Sequence, residues 1–197
     1  MGRWGSGFDP DSLARLETRM WKAYYRRQPA RLFDWLVLAL REQARVSWPT
    51  ALAASVLLTR AAAGFARAAG DYDRFAPDIG RAYRLLGLPD EIDATEVARS
   101  ELRWWVVRRE VGLAAGAAAG DAITGLYSAI YKLPPEALAE AGRLRGQAAE
   151  VRDRGAAADP DGSTGAGRAY WPEVARLLRD SYRALKSAVS DPRVDAR

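Results

Sequence analysis

Between Asp11 and Gln28 the apolar side chains Leu13, Leu16, Met20 and Tyr24 recur every three or four residues, with Arg15, Arg19, Lys22 and Arg26 opposite them. That is the period of an amphipathic α-helix. The same period returns in each later apolar segment, and none shows the strict alternation, bounded by hairpin turns, of a half-buried strand. A chain built of such stripes buries them by packing helix on helix. The expected fold is therefore all-α, a single domain of seven or eight helices in an irregular bundle.

Proline, glycine and capping residues place the ends. Pro29 closes the first helix, and a second, about Ala30 to Arg45, carries Leu32, Phe33, Trp35, Leu36 and Leu40 before "REQAR" turns it polar. Ser47 is a good N-cap for a third helix, which tolerates Pro49 in its first turn and runs to Gly70. Because it is apolar nearly all round, it is predicted to be central. A kink at Pro77 leads to a short helix ended by Gly87, and Asp93 with Glu96 three residues later reads as a capping box for a fifth helix to about Val111. "GLAAGAAAG" permits close helix packing. The sixth helix carries Ile123, Leu126, Tyr127, Ile130 and Tyr131, the seventh spans about Pro135 to Arg154, and the last, about Trp171 to Val189, has a core face of Val174, Leu177, Leu178 and Leu185. This reading gives a flexible N-terminus at 1–10 and a bundle over 11–190, packed around the third and fifth helices. It also gives a flexible loop at about 155–169 and a flexible tail at 191–197.

With 197 residues, 49% of them hydrophobic, one sizeable core can form. The absence of Cys and His excludes disulfides, Cys/His zinc sites, thiol nucleophiles, imidazole acid–base chemistry and Ser-His-Asp triads. A net charge of +5 invites a test for nucleic acid, but the cations are scattered among Asp and Glu with no long like-charge block. All except Lys22, Lys132 and Lys186 are arginine, which fits the coding bias of a GC-rich genome better than a binding surface. The N-terminus has no apolar stretch of signal-peptide length, so a cytoplasmic location is expected. The longest charge-free run, Val46 to Thr59, is shorter than the roughly 20 apolar residues of a membrane span, and none is expected.

Candidate site residues come from charges that the helical wheel turns inward. On the fifth helix Glu96, Arg99, Arg103 and Glu110 form a solvent stripe, while Glu101 lies opposite, among Ala94, Val97, Ala98, Trp104, Trp105 and Arg108. On the first, Glu17 falls among Leu13, Met20, Trp21 and Tyr24. An unpaired charge in a core costs several kcal/mol, so each of these needs a partner. Glu101 and Arg108 stand two turns apart, roughly 10 Å along the axis, too far to meet directly. Arg60, Arg67 and Arg145 are available to the carboxylates, and Glu17 or Asp121 to Arg108.

Two readings follow. In one, interhelical Arg–Glu bridges lined by Trp and Tyr set the register of the bundle. In the other, Trp104, Trp105, Tyr24, Tyr25, Tyr127 and Tyr131 wall a pocket where Arg60 or Arg108 holds an anionic group of a ligand. A ferritin-like di-metal site needs histidine, which leaves a carboxylate-only manganese or magnesium site between Glu17 and Glu101 as the remaining metal option; no metal and no cofactor is assigned. "DYDRFAPD" lacks the spacing of a diphosphate-binding magnesium motif, and "GLAAGAAAG" lacks the Gly-Lys-Ser/Thr ending of a phosphate loop.

The segments "WKAYY", "SWPTALAAS", "ELRWWVVRRE" and "SYRAL" together resemble a family of small all-α bacterial proteins with no established activity. The resemblance implies the fold class and transfers neither function nor catalytic residue. The expected function is non-catalytic binding of a protein partner or of a small anionic or aromatic ligand. A homo-oligomer could form through an exposed apolar face at Trp35, Leu36 and Leu40. The alternative is an enzyme, or a small-molecule pocket, at Glu101, Trp105 and Arg108.

Overall fold

Asp9 caps the first helix by accepting the Asp11 N–H at 3.1 Å, and Pro10, which has no N–H to leave orphaned, opens it. The computed structural model describes residues 4–110, 116–157, 159 and 165–191, with side chains at 165–168 excepted. Its helices are α1 (Pro10–Tyr25), α2 (Pro29–Ala44), α3 (Trp48–Arg67), α4 (Ala76–Leu85), α5 (Ala94–Glu110), α6 (Gly116–Tyr131), α7 (Pro135–Ala156) and α8 (Gly165–Ser190). A 3-10 turn at Tyr72–Phe75 precedes α4. The fold is an all-α single-domain bundle, as the periodicity predicts.

Each helix packs against the next in the chain, and α8 returns to pack against α1, so the eight close a circuit. Sequential packing follows from the short connections, which leave a helix little choice of neighbour. The main core joins α1, α5, α6, α7 and α8 through Leu13, Val97, Ile123, Ile130, Leu138, Val174, Leu178 and Leu185. Smaller clusters lie between α2, α3 and α4 and between α3, α4 and α5.

The third helix is peripheral, not central. It buries only the small residues Ala51, Ala54, Ser55 and Ala61, and turns Trp48, Leu52 and Val56 outward at 55%, 49% and 52% exposure. Apolarity all round records what a helix could bury and says nothing of how many neighbours reach it. Length and hydropathy alone would let α3 cross a membrane, with 28% of its apolar window buried inside the bundle. The middle position belongs to α6, which buries Ile123, Leu126, Tyr127, Ile130 and Tyr131 together with five small residues.

Glycine decides that position. Gly116 and Gly120 of α6 face Gly142 and Gly146 of α7, and a Cβ on Gly146 would stand 2.8 Å from the Gly120 nitrogen and collide with the Gly116 carbonyl. Backbones meet here because no side chain intervenes. The segment before α1 is also packed: Phe8 is 2% exposed, and the Trp4 indole donates to the Leu86 carbonyl at 3.0 Å. Residues 1–3 and 192–197, and residues 158 and 160–164 of the expected loop at 155–169, lie outside the described residues. Within that loop α7 runs to Ala156 and α8 begins at Gly165, continuing through Pro172. Asp93 caps α5 by accepting the Thr95 N–H at 2.8 Å, whereas Glu96 reaches Lys132 at 3.1 Å instead of closing a capping box.

Candidate functional site: a buried polar centre

Five α-helices of the main core and α4 each send a polar side chain toward the middle of the circuit. From α1 comes Glu17, 4% exposed, on the same face as Leu13 because the residues are four apart. Its carboxylate pairs with the Arg145 guanidinium of α7 and accepts the Tyr182 hydroxyl of α8 at 2.5 Å and the Trp21 indole N–H at 3.1 Å. Arg145 also donates to the hydroxyls of Tyr127, at 3.0 Å, and Tyr182, at 3.1 Å. Burial works against the guanidinium charge, but Glu17 and the two tyrosines overcome it and hold the arginine more firmly protonated than in water. Burial also raises the Tyr127 and Tyr182 phenols, so both remain neutral.

Glu101 of α5 is the second carboxylate. It accepts the Trp105 indole N–H at 2.9 Å and the Tyr83 hydroxyl of α4 at 3.1 Å. No cation touches it among the described residues. Burial pushes its carboxyl above the ordinary glutamate value; the Arg145 charge and the two hydrogen bonds pull it back, and the Glu17 charge adds to the rise. A glutamate in this state holds a proton more readily than one in water, which is the property of an acid–base group. It is equally the property of a buried carboxylate lacking an ionic partner.

Two turns beyond Glu101 on α5, Arg108 pairs with Asp153 of α7 through two bonds, 2.5 and 2.9 Å, and donates to the Tyr25 hydroxyl at 3.5 Å. Burial opposes its charge and the Asp153 bonds more than compensate. Arg152 reaches the same aspartate at 3.3 Å and lies over the Tyr25 ring. The Trp104 ring, 5.9 Å from the Arg108 guanidinium, packs into the main core. Arg108 and Glu101 therefore belong to separate clusters, each with its own partners.

The wheel's inward assignments for Glu17, Glu101 and Arg108 agree with these positions, and Glu96, Arg99, Arg103 and Glu110 are exposed. Glu17, Tyr127, Glu101 and Trp105 come together in the centre. Tyr131 is buried beside Tyr127, ring centroids 6.4 Å apart. Two residues expected to serve a pocket are elsewhere. Tyr24 is 61% exposed, and Arg60 extends from peripheral α3 to pair with Asp78 at 2.6 Å on the surface. Arg67 is exposed at the end of the same helix. Arg108 has Asp153 as its partner, in place of Glu17 or Asp121.

Asp153, Tyr83 and Tyr182 are interior polar residues that sequence reasoning passed over. Their signal was present: Tyr182 is four residues after Leu178, Tyr83 four after Ile79 and Asp153 four after Ala149, all on buried faces. The carboxylates do not gather into a cation cage, since among the described residues no three Asp, Glu, His or Cys side chains cluster at metal-ligand spacing. Comparison with known proteins finds no relative: no family model matches the sequence, and no curated protein and no solved structure is detectably similar to it.

Proposed function

We propose that the chain is a non-catalytic binding protein whose interior charges set the register of its bundle and whose ligand or protein partner is met at the surface. The observation that supports this is the closure of the interior polar groups on one another. Glu17 is taken by Arg145, Tyr182 and Trp21, Asp153 by Arg108 and Arg152, and Glu101 by Tyr83 and Trp105. Side chains engaged in this way hold helices in place, and a buried network in which nearly every member is satisfied specifies one packing over others. The surface feature suited to a protein partner is the stripe of Trp48, Leu52 and Val56 along α3, in place of the half-buried Trp35 and Leu36 and the buried Leu40 of α2.

A second reading, an enzyme or interior pocket at Glu101, is favoured by the missing cation and the raised carboxyl of that residue. Native mass spectrometry of the protein as purified, repeated on Glu101→Gln, separates the two. The binding reading expects the same bound molecule or the same oligomer in both proteins, because the substituted side-chain amide can keep the Trp105 and Tyr83 hydrogen bonds. A small molecule carried by the wild type and lost from Glu101→Gln alone would move the site to the interior and overturn the proposal.

A further inference from the structure

Four arginines converge on a groove between α1 and α2, with a volume of about 380 Å³. Arg15 and Arg19 rise from one wall and Arg41 and Arg45 from the other. Against these four guanidiniums stands one carboxylate in the lining, Glu42, which leaves three positive charges in excess. Glu42 is already engaged: it accepts the Asp9 N–H at 2.8 Å and Arg45 at 3.1 Å. The nearby Asp9 carboxylate caps α1. Among the described residues, Arg19 and Arg41 have no carboxylate partner and Arg15 feels the charge of Asp9 without pairing to it, whereas Arg143, Arg176 and Arg183, equally on the surface, each grip one with two nitrogens.

The free guanidiniums are nevertheless held in place. Arg19 lies over the Trp35 ring at 4.7 Å and Arg41 over the Trp48 ring at 3.9 Å, while Arg15 donates to the Ser12 hydroxyl at 2.8 Å. Stacking fixes the plane of a guanidinium and leaves the N–H groups along its edge free for a planar or tetrahedral oxyanion. The Arg41 Nε is buried and has no acceptor. Within each wall the two arginines are one turn apart, like charges about 6 Å along the axis, and they repel each other until an anion lies between them. Leu16, Leu38 and Val46 complete the lining with apolar surface.

We propose that this groove binds a small polyanion, a molecule carrying two or more phosphate or carboxylate groups, with Arg15, Arg19 and Arg41 as its principal contacts. The assignment rests on the reading of the chain as a binding protein and gives that reading a place and a ligand class. One tetrahedral anion cannot span both turns of both walls, so linked anionic groups are favoured over a single one.

The test is calorimetric titration of the full chain with inorganic tripolyphosphate, with citrate and with inorganic phosphate, in about 0.15 M salt where exposed charges are screened beyond about 8 Å. Tripolyphosphate or citrate should bind one per chain, at least about tenfold more tightly than phosphate; which of them binds tells phosphate from carboxylate chemistry. The double variant Arg15→Gln/Arg41→Gln should weaken that binding about a hundredfold, since each charge-assisted contact is worth about tenfold. Its melting temperature should be close to that of the wild type. Arg143→Gln/Arg176→Gln, with the same loss of net charge elsewhere, should leave binding unchanged. Equal weakening in both double variants, or no binding of either polyanion, overturns the proposal. A single-stranded oligonucleotide that binds through the same arginines far more tightly than tripolyphosphate overturns the small-ligand assignment. If either polyanion binds stoichiometrically but both double variants bind it like the wild type, the groove is excluded and the binding reading stands.

Discussion

Arg145→Met tests the polar centre where it is most exposed to failure. In the folded chain the Glu17 side chain is 5% exposed and that of Arg145 18%, so water screens little of their interaction. Removing one partner of a buried ion pair costs about 3–5 kcal/mol, because the other charge stays desolvated. Glu17 would retain Tyr182 and Trp21 as donors, which places the expected loss at the lower end, about 3 kcal/mol. Glu17→Gln keeps one acceptor oxygen for the Trp21 and Tyr182 donors, places an NH2 where the other oxygen stood and orphans the Arg145 charge, and a loss of about 2–3 kcal/mol is expected. In the double variant neither charge remains, so it should be more stable than the sum of the single losses predicts, by about 2 kcal/mol. Urea unfolding followed by circular dichroism measures all three, with an unchanged dependence on denaturant as the check that the unfolded state is the same. A domain stable by about 5–15 kcal/mol survives the single variants well enough to be measured. Single losses that add within about 0.5 kcal/mol would show that the two residues do not interact, and the register role of the centre would fall.

Two further outcomes follow from the same geometry. Glu101 binds its proton more tightly in the folded than in the unfolded chain, so its contribution to stability falls as pH rises from the ordinary glutamate value, 4.5, through its raised folded value. Glu101→Gln should therefore be more stable than the wild type at neutral pH and should lose that advantage below 4.5, as read from paired thermal melts across pH; a difference that does not vary with pH refutes this. Gly146→Ala should destabilise by up to about 2 kcal/mol, the overpacking cost of about 1–3 kcal/mol against Gly116 and Gly120 less about 1 kcal/mol gained in helix propensity. Gly125→Ala, whose new methyl meets nothing within 4 Å, should instead stabilise, and equal effects in the two variants would refute the close α6/α7 contact.

Much of the architecture could be read from local pattern. The three-and-four spacing specifies helices, Pro29, Pro135, Ser47 and Asp93 mark their starts, and the wheel turns Glu17, Glu101 and Arg108 inward. These are properties of a helix and its own residues, set by a period of 3.6, and they need no knowledge of what lies opposite. The fate of each inward charge was another matter. Arg145, one of three cations available to the carboxylates, became the partner of Glu17, far earlier in the chain, and Arg108 paired with Asp153 instead of Glu17 or Asp121. Arg60 stayed outside because α3 has neighbours on only part of its circumference.

The helical class, the approximate limits of the helices and the direction of three interior charges can be read along the chain, because each depends on residues a turn or two apart. Contacts between distant segments set the rest: that α8 closes on α1, that α6 lies inside and α3 at the edge, which cation meets which carboxylate, and that four arginines from α2 and α1 share one groove. Those outcomes depend on which helix faces approach, here set by glycines that let α6 and α7 touch backbone to backbone, and close approach between distant segments leaves no periodic mark on either one.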